Sequence, residues 1–290
     1  MKDHAIEIRG LEKRFPTFQL GPIDLSVPTG AIYGLIGPNG AGKTTTIDLL
    51  FGMGRKDAGS IRVLGLDHMQ GEVEMKRQVG YVSPDLNYQA WGRVEKAIRF
   101  VRGFYDTWDD QYCERLMTVF RLGCDEKISA LSFGARIKLS LVLALSWKPR
   151  LLVLDEPTVG LDAVSRQQVF TELLTAVREE KRTVLISSHS LHDLERFADH
   201  VGMIKNGRML LEGQTSEVVE AFRMADLEVT PGNRLPAMEG WHVQNQDGDR
   251  VRALIDTRLH DLNQLGRRGI RLLSSTPVSL EDLFVGLAKD

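Results

Sequence analysis

Gly37-Pro-Asn-Gly-Ala-Gly42-Lys43-Thr44 is the stretch on which the reading of this chain turns. It follows the apolar run Ala31-Ile-Tyr-Gly-Leu-Ile36 and opens into Thr45-Thr-Ile-Asp-Leu-Leu50. The spacing fits G-x-x-x-x-G-K-[ST], and a strand before with a helix after is the context this motif requires. Phosphates need many donors in a small space. Glycines let backbone N–H groups turn inward without a Cβ in the way, and the following helix adds its positive end. Gly37, Pro38, Asn39, Gly40, Ala41, Gly42, Lys43, Thr44 and Thr45 are therefore candidate phosphate-binding residues. Lys43 would reach the β- and γ-phosphates, and Thr44 would ligate Mg²⁺. The competing reading is a chance glycine turn, and the flanking strand and helix weigh against it.

Two further apolar runs end in polar clusters. Leu151-Leu-Val-Leu154 leads to Asp155-Glu156, and Thr183-Val-Leu-Ile186 leads to Ser187-Ser-His189. Runs of this kind read as strands of a parallel sheet buried on both faces. Between them, Ala163 to Arg178 carries Val164, Val169, Phe170, Leu173, Leu174 and Val177 at helical spacing. Strand, helix and strand make a right-handed crossover unit, and ligands of such sheets sit beyond the carboxyl ends of the strands. The expected fold class is α/β, a P-loop NTPase core with a parallel sheet whose polar clusters converge at one edge. Beside the glycine loop, Asp155 would hold Mg²⁺ mostly through water, and Glu156 would orient or deprotonate an attacking water. His189 would contact the γ-phosphate. The bland alternatives are acids that cap the next turn and a structural histidine.

Residues from about Gly92 to Phe120 read as mostly helical, with Val94, Ala97, Ile98 and Val101 on one stripe. They suggest a helical subdomain, about residues 85–150, inserted into a main domain of residues 1–220. A smaller α+β appendage is expected over 221–290. There, Thr230-Pro-Gly-Asn-Arg-Leu-Pro236 is a turn-rich break, and Gly240–Gln244 and Arg250–Ile255 read as strands around Gln246-Asp-Gly-Asp249. Leu280, Leu283, Phe284 and Leu287 follow helical spacing behind a candidate N-cap, Ser279.

Together these motifs resemble the ATP-binding cassette (ABC) family. The glycine loop, Leu151-Leu-Val-Leu-Asp-Glu-Pro-Thr158, Gly160-Leu-Asp162 and Ser187-Ser-His189 stand in the family's order. Leu131-Ser-Phe-Gly-Ala135 is similar to its signature sequence, just before the helical stretch Arg136–Trp147. The resemblance covers about Ile6 to Gly213, and Val278-Ser-Leu-Glu-Asp-Leu-Phe284 looks like an ending common in exporter-type cassettes. It implies an ATP-hydrolysing subunit of an exporter, with ATP and Mg²⁺, a separate transmembrane permease subunit, and a place on the cytoplasmic face of the membrane. It also implies a second cassette, in a homodimer or a heterodimer. Ser132, Phe133 and Gly134 of one chain would face the γ-phosphate held by Lys43 of the other, with Asp162 at the same interface. Phe15 would stack on adenine, ordinary core packing being the alternative.

Two departures from the family pattern bear on this reading. Phe133 and Ala135 replace a glycine and a glutamine of the signature, and Tyr81-Val-Ser-Pro-Asp85 lacks the glutamine expected near Pro84. Asp85 is the candidate substitute as a magnesium-sensing group. Lys and Arg number 37 against 39 Asp and Glu, so no basic excess argues for a nucleic-acid partner. The longest apolar stretch, Leu139–Trp147, is far short of the roughly 20 residues that span a bilayer. Cys113 and Cys124 form no CxxC pair, which points to two reduced thiols. A non-transport ABC ATPase acting on DNA or the ribosome is the runner-up. It is disfavoured because only one P-loop occurs and the stretch from Lys43 to Leu131 is too short for a long coiled coil. A catalytically dead scaffold is the third reading, and the intact Glu156 and His189 argue against it.

Overall fold

The structure, a computed structural model, describes residues 3–230 and 238–288. The turn-rich break expected from Thr230 onward therefore lies, after its first residue, outside the described residues. The chain opens with β1 (His4–Arg14) and β2 (Gln19–Pro28), then β3 (Ile32–Ile36), and the glycine loop leads into α1 (Lys43–Leu50). β4 (Ala58–Val63), β5 (Leu66–Asp67) and α2 (Glu72–Lys76) bring it to β6 (Val79–Val82). Three helices follow, α3 (Val94–Arg102), α4 (Asp110–Phe120) and α5 (Phe133–Leu145). The core resumes with β7 (Leu151–Asp155), α6 (Ala163–Arg178), β8 (Thr183–Ser188) and α7 (Leu191–Phe197). β9 (His200–Lys205), β10 (Arg208–Gln214) and α8 (Thr215–Glu220) come next. β11 (Phe222–Val229), β12 (Trp241–Asp247), β13 (Arg250–Asp256), β14 (Ile270–Pro277) and α9 (Leu280–Leu287) complete the described chain.

The central sheet has the order β10-β9-β3-β8-β7-β6. Its register pairs Ile36 with Ser188 and Asp155 with Ser187, so the three polar strand ends stand side by side. Alternation explains the continuous apolar runs. Ile32, Ile36, Leu152, Leu154, Val184 and Ile186 face one apolar cluster, whereas Tyr33, Leu35, Leu151, Val153 and Leu185 face another on the opposite side. Each such buried side chain is worth roughly 1.5–3 kcal/mol, which is why these strands read as unbroken hydrophobic segments.

Two elements differ from the sequence expectation. The sheet is parallel except at its edge, where β10 runs antiparallel to β9. Asn206 and Gly207 join those strands with φ of 49° and 75°, a tight hairpin geometry, whereas a parallel neighbour needs a long crossover. The helical stretch expected from Gly92 to Phe120 is two helices. α3 ends at Gly103, and Asp109 starts α4 afresh by accepting a 2.8 Å hydrogen bond from Tyr112 N–H.

β2-β1-β4-β5 form an antiparallel sheet that packs on the second apolar cluster, through residues such as Ile6, Ile8, Leu25 and Ile61. β12-β13-β11-β14 form another antiparallel sheet, with its own apolar cluster of Ala225, Leu227, Trp241, Val251, Ala253 and Ile255. Leu254, Leu280 and Leu283 from this last segment join Leu194 and Met203 in the first cluster. Cys113 is buried, Cys124 exposed, and both are free thiols.

Candidate nucleotide site

The glycine loop is tight for steric reasons. A Cβ on Gly37 would lie 2.3 Å from Ile204 O, and one on Gly42 would lie 2.6 Å from Leu20 Cδ1. Gly42 also holds φ of 110° as it enters α1, a conformation that side chains resist. Lys43 is folded back along this loop. Its Nζ donates to Gly37 O at 2.7 Å and stands 3.2 Å from Glu156 Oε1. Lys43 is 5% exposed, so its ammonium is held away from water by loop carbonyls and the Glu156 carboxylate.

Asp155 is almost fully buried at the end of β7, and both of its oxygens are engaged. Thr44 Oγ1 donates to Oδ2 at 2.8 Å, and Ser187 Oγ donates to Oδ1. Ser187 also accepts the Glu156 N–H at 3.1 Å, so one hydroxyl on β8 orders both acids. Glu156 sits at φ of 47°, a backbone state costing a side-chain-bearing residue on the order of 1 kcal/mol and met mostly where a site demands it. Its Oε2 accepts from His189 Nδ1 at 2.8 Å. Its Oε1 is buried and, apart from the nearby Lys43 charge, lacks a hydrogen-bond partner among the described residues.

A cavity of about 380 Å³ opens here, lined by Pro38, Asn39, Gly40, Gly42, Lys43, Thr44, Thr45 and Glu156, and by Phe18. The expected adenine platform, Phe15, lies outside that lining. It is 43% exposed, its ring centroid 6.2 Å from that of Phe18. Phe18 was not anticipated, nor was the part played by Ser187. The register partner of Asp155 would have pointed to the serine. Asp85 is exposed beyond β6, yet together with Asp155 it helps to raise the pKa of Asp48, burial being the larger cause.

The donor set suits Mg²⁺. Among the described residues no three His, Cys, Asp or Glu side chains are placed to enclose a metal. Mg²⁺ prefers one or two oxygen ligands from protein and fills its remaining positions with water and substrate phosphates. Thr44 and Asp155 supply that kind of partial set.

The signature-like residues lie on a different loop. Ser132 caps α5, accepting from Ala135 N–H at 3.2 Å, and Gly134 packs so closely that a Cβ would be 3.1 Å from Gly160 O. The Phe133 ring rests on Gly160, with Cδ1 2.7 Å from where a Cβ would stand, and φ of 72° at Gly160 already favours glycine. Asp162 caps α6, accepting from Ser165 N–H and Oγ at 2.8 Å each, and those bonds hold its carboxyl below the usual range. No bond in the described structure ties Ser132, Phe133 or Gly134 to the Lys43 cavity. Tyr81, Leu86, Tyr88, Val101, Tyr105 and Trp147 contribute to a separate groove of about 360 Å³ between β6, α3 and α5.

Residues 20–159 match the family model described as ABC transporter. The chain belongs to the ATP-binding cassette transporter family, as an ATP-binding and ATP-hydrolysing subunit. The daunorubicin/doxorubicin resistance ATP-binding protein DrrA of Streptomyces peucetius is 31% identical over 297 residues, covering 97% of this chain and 88% of that protein. The Nod factor export ATP-binding protein I of Burkholderia orbicola (strain AU 1054) is 31% identical over 301 residues, with 97% and 96% covered. The solved structure of an ATP binding subunit of an ABC transporter superposes with a TM-score of 0.67 at 26% identity, over 74% of this chain and 92% of that one.

Proposed function

We propose that this chain is the motor subunit of an exporter, working beneath a separate transmembrane permease on the cytoplasmic face of the membrane. The names of the two relatives, a drug-resistance protein and an export protein, support export. No helix of the described residues is long and apolar enough to cross a membrane, so the permease would be another chain. The aromatic-lined groove beside Tyr81 is the surface we assign to it, because Tyr81 lies on β6, the strand paired with β7, whose end carries Asp155.

The observation that carries the mechanism is the continuous arrangement Lys43–Glu156–His189 beside Thr44–Asp155–Ser187. Backbone N–H groups within Asn39 to Thr45 hold the triphosphate at the start of α1, and Lys43 exchanges Gly37 O for its terminal oxygens. Phe15 and Phe18 offer aromatic faces to the adenine. Thr44 and Asp155 would hold Mg²⁺, with Asp85 as a further candidate, and the ion would supply positive charge to the phosphates. Glu156 Oε1 receives a proton from the attacking water, whose oxygen bonds to the γ-phosphorus as the bond to the β-phosphate bridging oxygen breaks. ADP and phosphate leave. His189 holds Glu156 in line through Oε2.

Ser132, Phe133 and Gly134 then serve a second cassette. They sit at the start of α5, where a helix N-terminus favours an added anion. Asp162 lies on the same face through its loop at Gly160. Closure of two cassettes around ATP, and release on hydrolysis, would convert chemistry into motion. Residues 221–290 are the α+β accessory domain on this reading. The test is the mass of Glu156→Gln protein by light scattering with and without Mg-ATP. A shift from monomer to dimer is expected; a monomer in both conditions, with ATP binding confirmed for the sample that contains it, would refute closure of two identical chains.

A further inference from the structure

α9 reaches the nucleotide site from behind, through both of its ends. At its N-terminus Ser279 and Asp282 form a capping box, and the Leu280 N–H, which the box leaves over, donates to Glu195 Oε2 on α7 at 2.9 Å. A carboxylate there also meets the positive end of the helix. At its C-terminus Lys205 Nζ at the end of β9 donates to Ala288 O, placing a cation at the negative end. Leu280 and Leu283 are fully buried beside Leu194 of α7.

Each element that α9 grips ends at the site. α7 starts immediately after His189, with Ser190 as its N-cap residue. It has little freedom to shift, because Leu194 Cδ1 stands 3.0 Å from where a Cβ of Gly34 would lie on β3. Asp193 further ties α7 to its neighbours, accepting from Ser190 Oγ at 2.7 Å and from Arg166 Nη1 at 3.1 Å. β9 runs past Ile204, its last residue but one, whose carbonyl backs Gly37, and Gly207 N–H in the next turn donates to Ala41 O at 2.9 Å.

We propose that α9 braces the nucleotide site, with Glu195 and Lys205 as positioning residues: Glu195 sets the helix that carries His189 onto Glu156, and Lys205 sets the turn behind Gly37. This rests on the roles proposed above for His189 and Glu156. Apolar burial alone would dock α9 without asking for a carboxylate on α7 aimed at its first free N–H. The C-terminal segment thereby becomes an input to catalysis, since anything that shifts α9 shifts the His189–Glu156 pair.

The test compares Glu195→Ala, Glu195→Gln and Val251→Ala in the full chain, measuring steady-state ATP hydrolysis and thermal midpoint. Gln keeps an acceptor oxygen for the Leu280 N–H, whereas Ala does not. We expect Glu195→Ala to lower kcat about 3- to 10-fold with KM for ATP within about twofold, and Glu195→Gln to stay within about twofold of the unmodified protein. Val251→Ala, in the outer sheet's own apolar cluster, should lower the thermal midpoint and leave kcat unchanged. Unchanged kcat in Glu195→Ala, or an equal loss in Val251→Ala at the same thermal cost, would overturn the brace. His189→Ala in the same assay separates the two ideas. If it hydrolyses ATP normally, the site assignment fails; if it is slow while Glu195→Ala is normal, only the brace fails.

Discussion

The loop at Lys43 and the loop at Ser132 are both glycine-bearing turns at the start of a helix, yet they are supported in different ways. Lys43 and Asp155 are 5% and 3% exposed, and their charged atoms are paired with Gly37, Glu156, Thr44 and Ser187. Phe133 is 41% exposed, and Ser132 spends its hydroxyl on its own helix. The first loop is a buried polar network in which each member limits the others. The second presents backbone donors on a surface and relies on the Phe133 ring against Gly160 for its shape. Removing a member of the first leaves a charge buried without its partner, which is costly; removing a group of the second loses only a local contact.

That contrast can be broken or sharpened by substitution. The largest effect is expected for Glu156→Gln, which should still bind ATP while hydrolysing it about 10²- to 10⁴-fold more slowly. Near-normal turnover would remove Glu156 as the base. Lys43→Ala comes next, with nucleotide affinity about 10- to 100-fold weaker through the loss of charge-assisted bonds. Titration with a fluorescent ATP analogue would measure it, and unchanged affinity would refute the phosphate role. Phe133→Gly tests the surface loop: turnover should be preserved or raised, whereas a loss of about tenfold would show that the ring takes part in catalysis.

The smallest effect is electrostatic. Burial, then Asp155 and Asp85, raise the pKa of Asp48. A carboxyl raised in the folded state favours folding while protonated, and that contribution is lost as pH rises through the raised value. Asp48→Asn should therefore leave the thermal midpoint unchanged near pH 3.5 and raise it slightly at pH 7. An equal shift at both values would mean that charge is not the cause.

Much of this was legible in the amino-acid order. Ala163–Arg178 has the spacing of a helix and is one, and the capping residues Ser279 and Asp162 sit where side-chain oxygens accept backbone donors. These are short-range effects, set by residues within one or two turns. The break between α3 and α4 was less legible, because Phe104, Tyr105 and Trp108 in the connecting loop carry the apolar pattern of the two helices across it. β1 and β2, the long antiparallel pair, carried no motif to announce them. Phe18 rather than Phe15 lines the cavity at the glycine loop because the turn between β1 and β2 carries one ring inward and leaves the other exposed.

By itself, the sequence determined the glycine loop between strand and helix, the two acids after β7, the histidine after β8 and the family to which they belong. Motif spacing is a local property, and backbone donors at a glycine turn need nothing distant to declare themselves. Only the tertiary structure decided which groups touch. Ser187 meets Asp155 because β8 lies beside β7 in register, His189 reaches Glu156 across that same strand pair, and α9 meets Glu195 across 85 residues of chain. Such contacts follow from sheet order and side-chain packing, which depend on the whole apolar core at once.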